Sequence, residues 1–101
     1  MARFTTRVQL DGYASEEHYD RLHQAMKRQG FSRFVRADNG KTYHLPHAEY
    51  DRTANLTITQ ISEDAKLAAQ TVWDDFQILV TEGGWAGYGL KEASHSEVMA
   101  G

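Results

Sequence analysis

Residues 2–10 alternate between apolar and polar side chains. Successive side chains leave a strand on opposite faces, so this alternation is typical of a strand that is buried on one side. The apolar face carries Phe4, Thr6, Val8 and Leu10. The polar face carries Arg3, Thr5, Arg7 and Gln9. The pattern predicts a half-buried first strand that joins the core through its apolar face.

The following segment has the signals of an amphipathic helix over residues 15–29. Ser15 is a good N-cap, because its hydroxyl can accept from the free amides of the first turn. Gly30 is a natural left-handed stop, and Phe31 is placed to fold back on Met26 as in a Schellman ending.

A second helix is predicted to begin near Thr57 or Thr59, and Thr57 with Gln60 fits a capping box. Its apolar residues recur with the helical period. The stripe consists of Ile58, Ile61, Ala65, Ala68 and Val72. The small alanines imply that this helix approaches a sheet closely.

Two extended segments between the helices predict a β-hairpin. They cover residues 31–36 and 41–50 and flank Asn39-Gly40, a dipeptide that favours a two-residue turn with positive φ at both positions. The register that follows from this turn pairs Arg36 with Tyr43 and Phe34 with Leu45.

The polar residues 51–55 predict a turn, and residues 76–80 predict a fourth strand. The residues of this strand that would face the core are Phe76, Ile78 and Val80. From residue 91 onward no pattern is strong, so residues 91–101 are predicted to be a disordered tail after a single domain over residues 1–90.

Glycines interleave with two large aromatic residues, Trp85 and Tyr88, over residues 82–90. We interpret this as a hairpin turn followed by a short fifth strand over residues 85–90. Exposed aromatic side chains on a late edge strand are typical of an interface. They predict a homodimer formed by extension of the sheet, with Trp85 and Tyr88 in the contact.

The order strand, helix, strand, strand, helix, strand is that of the ferredoxin-like βαββαβ sandwich. The predicted fold class is therefore α+β, an antiparallel sheet with two helices on one face. Its first and third strands would be central, and its other face would be open or covered by a second subunit.

Composition narrows the function classes. The chain has 101 residues and a net charge of -3, which argues against a general polyanion-binding protein. It has no cysteine, and therefore no disulfide, thiol nucleophile or thiolate metal site. No apolar run approaches the roughly 20 residues of a membrane span, and the N-terminus lacks the apolar region of a signal peptide. We expect a soluble, cytoplasmic protein that makes no membrane contact.

A local basic face is compatible with this acidic balance. Phosphate binding needs several cations on one surface, preferably with aromatic rings for base stacking. The candidate cations are Arg3, Arg7, Arg33 and Arg36, and the candidate rings are Phe34 and Tyr43. This set suggests single-stranded RNA as a partner, although no ribonucleoprotein signature is present. The alternative is a solubilising face at the rim of a dimer.

Asp11 closes the first strand and is followed by Gly12. A carboxylate at a strand end can bind a divalent metal ion or position a water molecule, and it can equally cap the following loop. The five histidines form no metal-binding motif. No glycine-rich loop of the kind that holds phosphates is present, so the sequence predicts no metal site and no cofactor.

Several short motifs resemble the GhoS-type endoribonuclease antitoxins and the small bacterial and phage proteins grouped with them. They are Leu10-Asp11, Gly30-Phe31-Ser32, Asp38-Asn39-Gly40 and the run from Tyr43 to Tyr50. The resemblance implies a ferredoxin-like fold similar to that of the CRISPR-associated nucleases of the adaptation complex, and cleavage of the messenger of a membrane toxin. In those nucleases an acidic residue ends the first strand, and Asp11 matches that place.

Two hypotheses follow. In the first, the protein is a GhoS-like endonuclease of single-stranded RNA, or an RNA-binding regulator of a toxin message, with Asp11 as its catalytic residue. Its phosphate contacts would come from Arg7, Arg33 and Arg36. In the second, it is a non-catalytic homodimeric module that binds a protein or a small ligand through the open sheet face and Trp85. The low basicity favours the second hypothesis, and the resemblance favours the first.

Overall fold

A computed structural model describes residues 1–100 as one small α+β domain. The elements, in chain order, are β1 (Ala2–Leu10), α1 (Glu16–Arg28), β2 (Phe34–Arg36), β3 (Thr42–His44), β4 (Glu49–Ala54), α2 (Ile58–Gln70), β5 (Phe76–Glu82) and α3 (His95–Ala100). None of these helices is both long and apolar enough to cross a bilayer.

The central element is β1, as the alternation predicts. It pairs antiparallel with β4 on one edge and with β5 on the other, and β2 and β3 form a separate two-stranded hairpin. The apolar face of β1 is buried, with Phe4 and Val8 fully enclosed. The helices contribute the other half of this core through Leu22, Ala25, Met26, Ile61, Ala65, Ala68 and Ala69.

Helix α1 confirms its predicted ends. Ser15 is the N-cap, and Gly30 has a φ of 92°. The amide of Gly30 donates to the carbonyl of Lys27, and that of Phe31 donates to the carbonyl of Met26, both at 3.0 Å. These two bonds are the Schellman pattern, which satisfies carbonyls that the helix end leaves free.

Helix α2 also begins as predicted. The Thr57 hydroxyl accepts from the Gln60 amide at 3.1 Å, and the Gln60 side chain accepts from the Thr57 amide at 2.8 Å. The capping box is therefore complete, and the predicted alanine stripe lies against the sheet.

The predicted register of the β2–β3 hairpin is wrong by one residue. The structure pairs Phe34 with His44, Val35 with Tyr43 and Arg36 with Thr42. The loop has three residues, 38–40, rather than two. Of these only Gly40 has a positive φ, whereas a two-residue turn would require one at Asn39 as well. The Asn39 side chain accepts from the Lys41 amide at 2.8 Å, which stabilises this longer loop.

The extended segment predicted over residues 41–50 forms two strands in the structure, with Pro46 between them. A tight turn, closed by a bond from the Glu49 amide to the Pro46 carbonyl, separates β3 from β4. The predicted turn at residues 51–55 is wrong, since β4 runs through Ala54. Pairing with β1 outweighs the polar character of these residues. Asp51 and Thr53 lie on the outer face of the sheet, and Arg52, on the core side, binds Asp64 of α2 at 2.8 Å.

The fourth predicted strand is confirmed as β5, whose residues Phe76, Ile78 and Val80 pack against the core. The predicted fifth strand over residues 85–90 is wrong, since those residues form no strand. For residues 91–101 the sequence predicts a disordered tail, and the structure places α3 within this segment. The His44 imidazole contacts the Glu97 carboxylate of α3.

Gly30 provides a stability test of the α1 ending. A Cβ at Gly30 would lie 3.2 Å from the Arg52 Nε, whereas a Cβ at Gly40, which also has positive φ, would contact nothing within 4 Å. The Arg52 guanidinium stacks 5.1 Å above the Phe31 ring and binds Asp64 at 2.8 Å. Left-handed strain is common to both positions and amounts to about 1–2 kcal/mol.

We therefore expect Gly30→Ala to lower the free energy of unfolding by more than Gly40→Ala does, measured by urea denaturation of both variants. The additional loss would reflect displacement of Arg52. Equal losses in the two variants would show that Arg52 does not hold the end of α1 against α2.

Candidate functional site

The four arginines of the predicted basic face do not form one patch. Arg3 and Arg7 lie on the outer face of β1, as the alternation requires. This face also carries carboxylates, because Glu49 stands opposite Arg7, and the Arg3 Nε lies 3.5 Å from an Asp51 oxygen. The outer face is therefore of mixed charge.

The other predicted contacts lie on the hairpin and just before it. Arg33 is close enough to His23 and Tyr50 for its charge to influence both groups, which places it near α1. Arg36 ends β2, next to the segment that leads into α3. The Phe34 ring packs on His44 with centroids 5.1 Å apart, so it is not a free stacking platform.

The predicted interface residues line a shallow groove beside the hairpin. Trp85 is partly buried, whereas Tyr88 is 100% exposed. Tyr43 lines the same groove, and its hydroxyl accepts from the Asn39 amide group at 3.1 Å. The three aromatic residues are thus near one another, but they lie on loops and on the short β3 rather than along a fifth strand.

Asp11 is held by its neighbours. Its carboxylate accepts from the Gln77 amide group at 3.0 and 3.1 Å and from the Gln9 amide group at 3.0 Å. Its backbone carbonyl accepts from the Trp73 indole at 2.7 Å. Asp74 and Asp75 line the same cleft, but within residues 1–100 no three His, Asp or Glu side chains are grouped so that they could hold a metal ion.

A different set of chemically capable side chains converges at the start of β4, and we call it the His–Tyr cluster: Tyr19, His23, Arg33, His47 and Tyr50. The His23 Nδ1 lies 2.7 Å from the Tyr50 hydroxyl oxygen, and this pair is buried. The His47 ring is exposed and lies against Tyr19 with centroids 4.5 Å apart. It is 6.2 Å from the His23 ring.

Each element supplies its part of the cluster for a local reason. Tyr19 and His23 are four residues apart on α1, so they share a face. Tyr50 points inward from β4, and His47 is carried by the turn that precedes it. The i, i+4 spacing of Tyr19 and His23 is the sequence signal for this half of the cluster, and a search for pairs of histidines does not find it because one member is a tyrosine.

The backbone at this turn is strained. Ala48 has a φ of 59°, and it is the only residue other than glycine with a positive φ within residues 1–100. Its carbonyl accepts from the Val8 amide at 3.0 Å, and its side chain is buried, so the surrounding structure fixes this conformation. Strain of about 1–3 kcal/mol per residue is concentrated at functional sites in many proteins.

Burial sets the charge state of the inner pair. Desolvation, reinforced by the charges of Arg33 and His47 and opposed by Asp20, lowers the pKa of His23 to about 4. Desolvation also raises the pKa of Tyr50 above its ordinary value. Both groups are therefore neutral at pH 7, and perturbed groups of this kind cluster at functional sites.

Comparison with protein-family models and with curated proteins gives no match for this sequence.

The lowered pKa of His23 predicts a specific pH dependence of stability. Between pH 6.5 and about 4 the unfolded chain binds a proton at His23 and the folded chain does not. The free energy of unfolding is therefore unaffected by His23 above pH 6.5. It decreases as the pH falls from 6.5 to about 4, by up to about 3 kcal/mol in all. His23→Gln keeps a hydrogen-bonding group for Tyr50 but cannot titrate.

We expect urea unfolding at pH 7.5 and pH 4.5 to show a larger loss of stability for the unmodified protein than for His23→Gln. Identical pH dependence of the two proteins would show that His23 is not held neutral by the fold.

Proposed function

We propose that the protein is an endonuclease of single-stranded RNA whose reaction site is the His–Tyr cluster. The observation that carries this proposal is the exposed His47 imidazole, whose ring lies 6.2 Å from the His23 ring of the buried and neutral His23–Tyr50 pair. The charge of Arg33 reaches the same pair. An imidazole exchanges protons near neutral pH, and a guanidinium binds phosphate oxygens. A proton acceptor and a cation are two of the groups that promote phosphodiester cleavage by a ribose hydroxyl.

The reaction uses the 2′-hydroxyl of RNA as its nucleophile. The His47 imidazole removes the proton of that hydroxyl, and the oxygen attacks the adjacent phosphorus. The bond from phosphorus to the 5′ oxygen breaks, and the leaving oxygen takes a proton from solvent. Arg33 stabilises the charge on the non-bridging oxygens. The products are a 2′,3′-cyclic phosphate and a 5′-hydroxyl.

In this proposal His23 and Tyr50 are positioning residues. Both are buried, so they act on the RNA only through the place they give to His47. The charge of Arg33 also contributes to the lowered pKa of His23, and the low pKa keeps His23 uncharged in the core.

The sequence resemblance to GhoS-type antitoxins supports RNA as the substrate class, and a toxin message remains the proposed target. The ferredoxin-like arrangement is part of the same proposal. It is supported by the backbone bridge between Ser32 and Asp51, at 2.7 and 2.8 Å, which places the segment after α1 beside β4. In a ferredoxin-like sheet the second strand pairs with the third, and here the segment after α1 lies in the place of the second strand and β4 in that of the third.

The proposal predicts that His47→Ala reduces the rate of RNA cleavage by about 10²- to 10⁴-fold, the usual contribution of a general base. Arg33→Ala should also lower the rate, while binding to the RNA is weakened. The assay follows a labelled single-stranded RNA on a gel and identifies the ends of its fragments. His95→Ala, which changes an exposed histidine on α3, is the matched control and should retain full activity.

The chemical ends of the RNA fragments and the variant Asp11→Asn distinguish cleavage at the His–Tyr cluster from cleavage at Asp11. Asp11→Asn should leave the rate nearly unchanged if the His–Tyr cluster is the reaction site. Fragments with 5′-phosphate ends that Asp11→Asn abolishes would overturn this assignment and transfer the chemistry to the end of β1. No cleavage of any RNA by the folded protein would contradict the proposed function itself.

A further inference from the structure

Strand β5 forms a free edge of the main sheet. The strand order is β4-β1-β5, so one side of β5 pairs with β1 and the other pairs with no strand of residues 1–100. Native proteins usually protect such an edge with proline, lysine or a bulge. The sequence of β5, FQILVTE, has no proline and no positive charge, and its register with β1 is unbroken from Phe76 to Glu82.

The hydrogen-bonding direction of each β5 residue follows from the bonds at the two ends of the strand. The Gly83 amide donates to the Arg3 carbonyl at 3.0 Å, and the Asp11 amide donates to the Asp75 carbonyl at 2.9 Å. Bonded residues alternate along an antiparallel pair, so odd-numbered β5 residues bond to β1. The N–H and C=O groups of the even-numbered residues Phe76, Ile78, Val80 and Glu82 therefore point to the free edge.

The side chains at this edge are apolar and incompletely covered. Leu79 stands at the centre of the strand, on the outer face, and is 66% exposed. Ile78 and Val80 face the core but are only partly buried, whereas Phe4 and Val8 on the central strand are fully buried. An apolar surface combined with free backbone groups is the property of a strand that accepts another strand.

We propose that this edge pairs with the β5 edge of a second copy of the chain. A two-fold axis at Leu79 makes Ile78 and the partner's Val80 a hydrogen-bonded pair, and Phe76 and the partner's Glu82 another. These are the residues whose backbone groups point outward. The two Leu79 side chains then form the close, non-hydrogen-bonded pair of the ladder and cover one another.

The charges of β5 leave the centre of the paired strands free for a second copy. The only charged residue of β5 is Glu82, which stands opposite the partner's Phe76, so no like charges meet at the centre. Asp74 and Asp75 come just before the strand, near the partner's Glu82 end, and these acidic groups repel at each end of the paired strands. Association should therefore strengthen as salt screens that repulsion.

The homodimer is tested by sedimentation velocity over a range of protein and salt concentrations. Leu79→Lys should weaken the dimer at least tenfold, because it places two cations side by side on the axis. The monomer tolerates this change, since Leu79 is already exposed. Leu67→Lys is the matched control: Leu67 is 53% exposed on α2, and its replacement should leave the dimer unchanged.

Amide hydrogen exchange locates the interface. In dilute samples the outward amides of Ile78 and Val80 should exchange rapidly, while that of Leu79, bonded to β1, is protected. In concentrated samples all three should be protected. A chain that stays monomeric at about 0.5 mM and high salt, a dimer that Leu79→Lys does not weaken, or a dimer whose Ile78 and Val80 amides remain unprotected would each overturn the proposal. None of these results bears on RNA cleavage, so the two proposals fail independently.

Discussion

The rest of the structure depends on the backbone pairing of β1 on both of its edges. Because β1 is central, its inward residues Phe4 and Val8 are covered from both sides and by both helices, and they are fully buried. The pairing also decides which neighbouring residues become strand. It draws residues 51–54 into β4 despite their polar character, since an unpaired edge of β1 would leave its amides without partners. Position in the sheet thus overrides local preference.

The same pairing creates the candidate site. Register with β1 fixes Tyr50 opposite Thr6, both on the core face, which brings the Tyr50 hydroxyl under α1 to meet His23. The chain reaches this register only through the strained turn that ends at Ala48, whose carbonyl is already bonded to Val8 of β1. His47 comes just before Ala48, outside the β1–β4 pairing, and its ring is exposed. The candidate site therefore lies at the end of β4 where its pairing with β1 begins.

What the sequence predicts well is local. The capping residues Ser15 and Thr57, the left-handed Gly30 and the alternation of β1 each have a physical cause within a few residues, and all are confirmed. The errors concern alternatives that local signals do not separate, such as the two- and three-residue loops that both suit Asn39-Gly40. The His–Tyr cluster joins α1 to β4 across 27 residues of sequence, so no short pattern contains it.

The composition of that cluster bears on whether it serves the fold or a reaction. A phenylalanine and a leucine at the positions of Tyr50 and His23 would fill a core without the desolvation that lowers the pKa of His23. Since replacing a buried polar pair by apolar residues is often neutral or stabilising, stability alone does not require this pair. Stability alone does not require Ala48 either, because a glycine would adopt its positive φ without strain. The proposed reaction would account for both features, the desolvated His23–Tyr50 pair and the strained Ala48, neither of which packing requires.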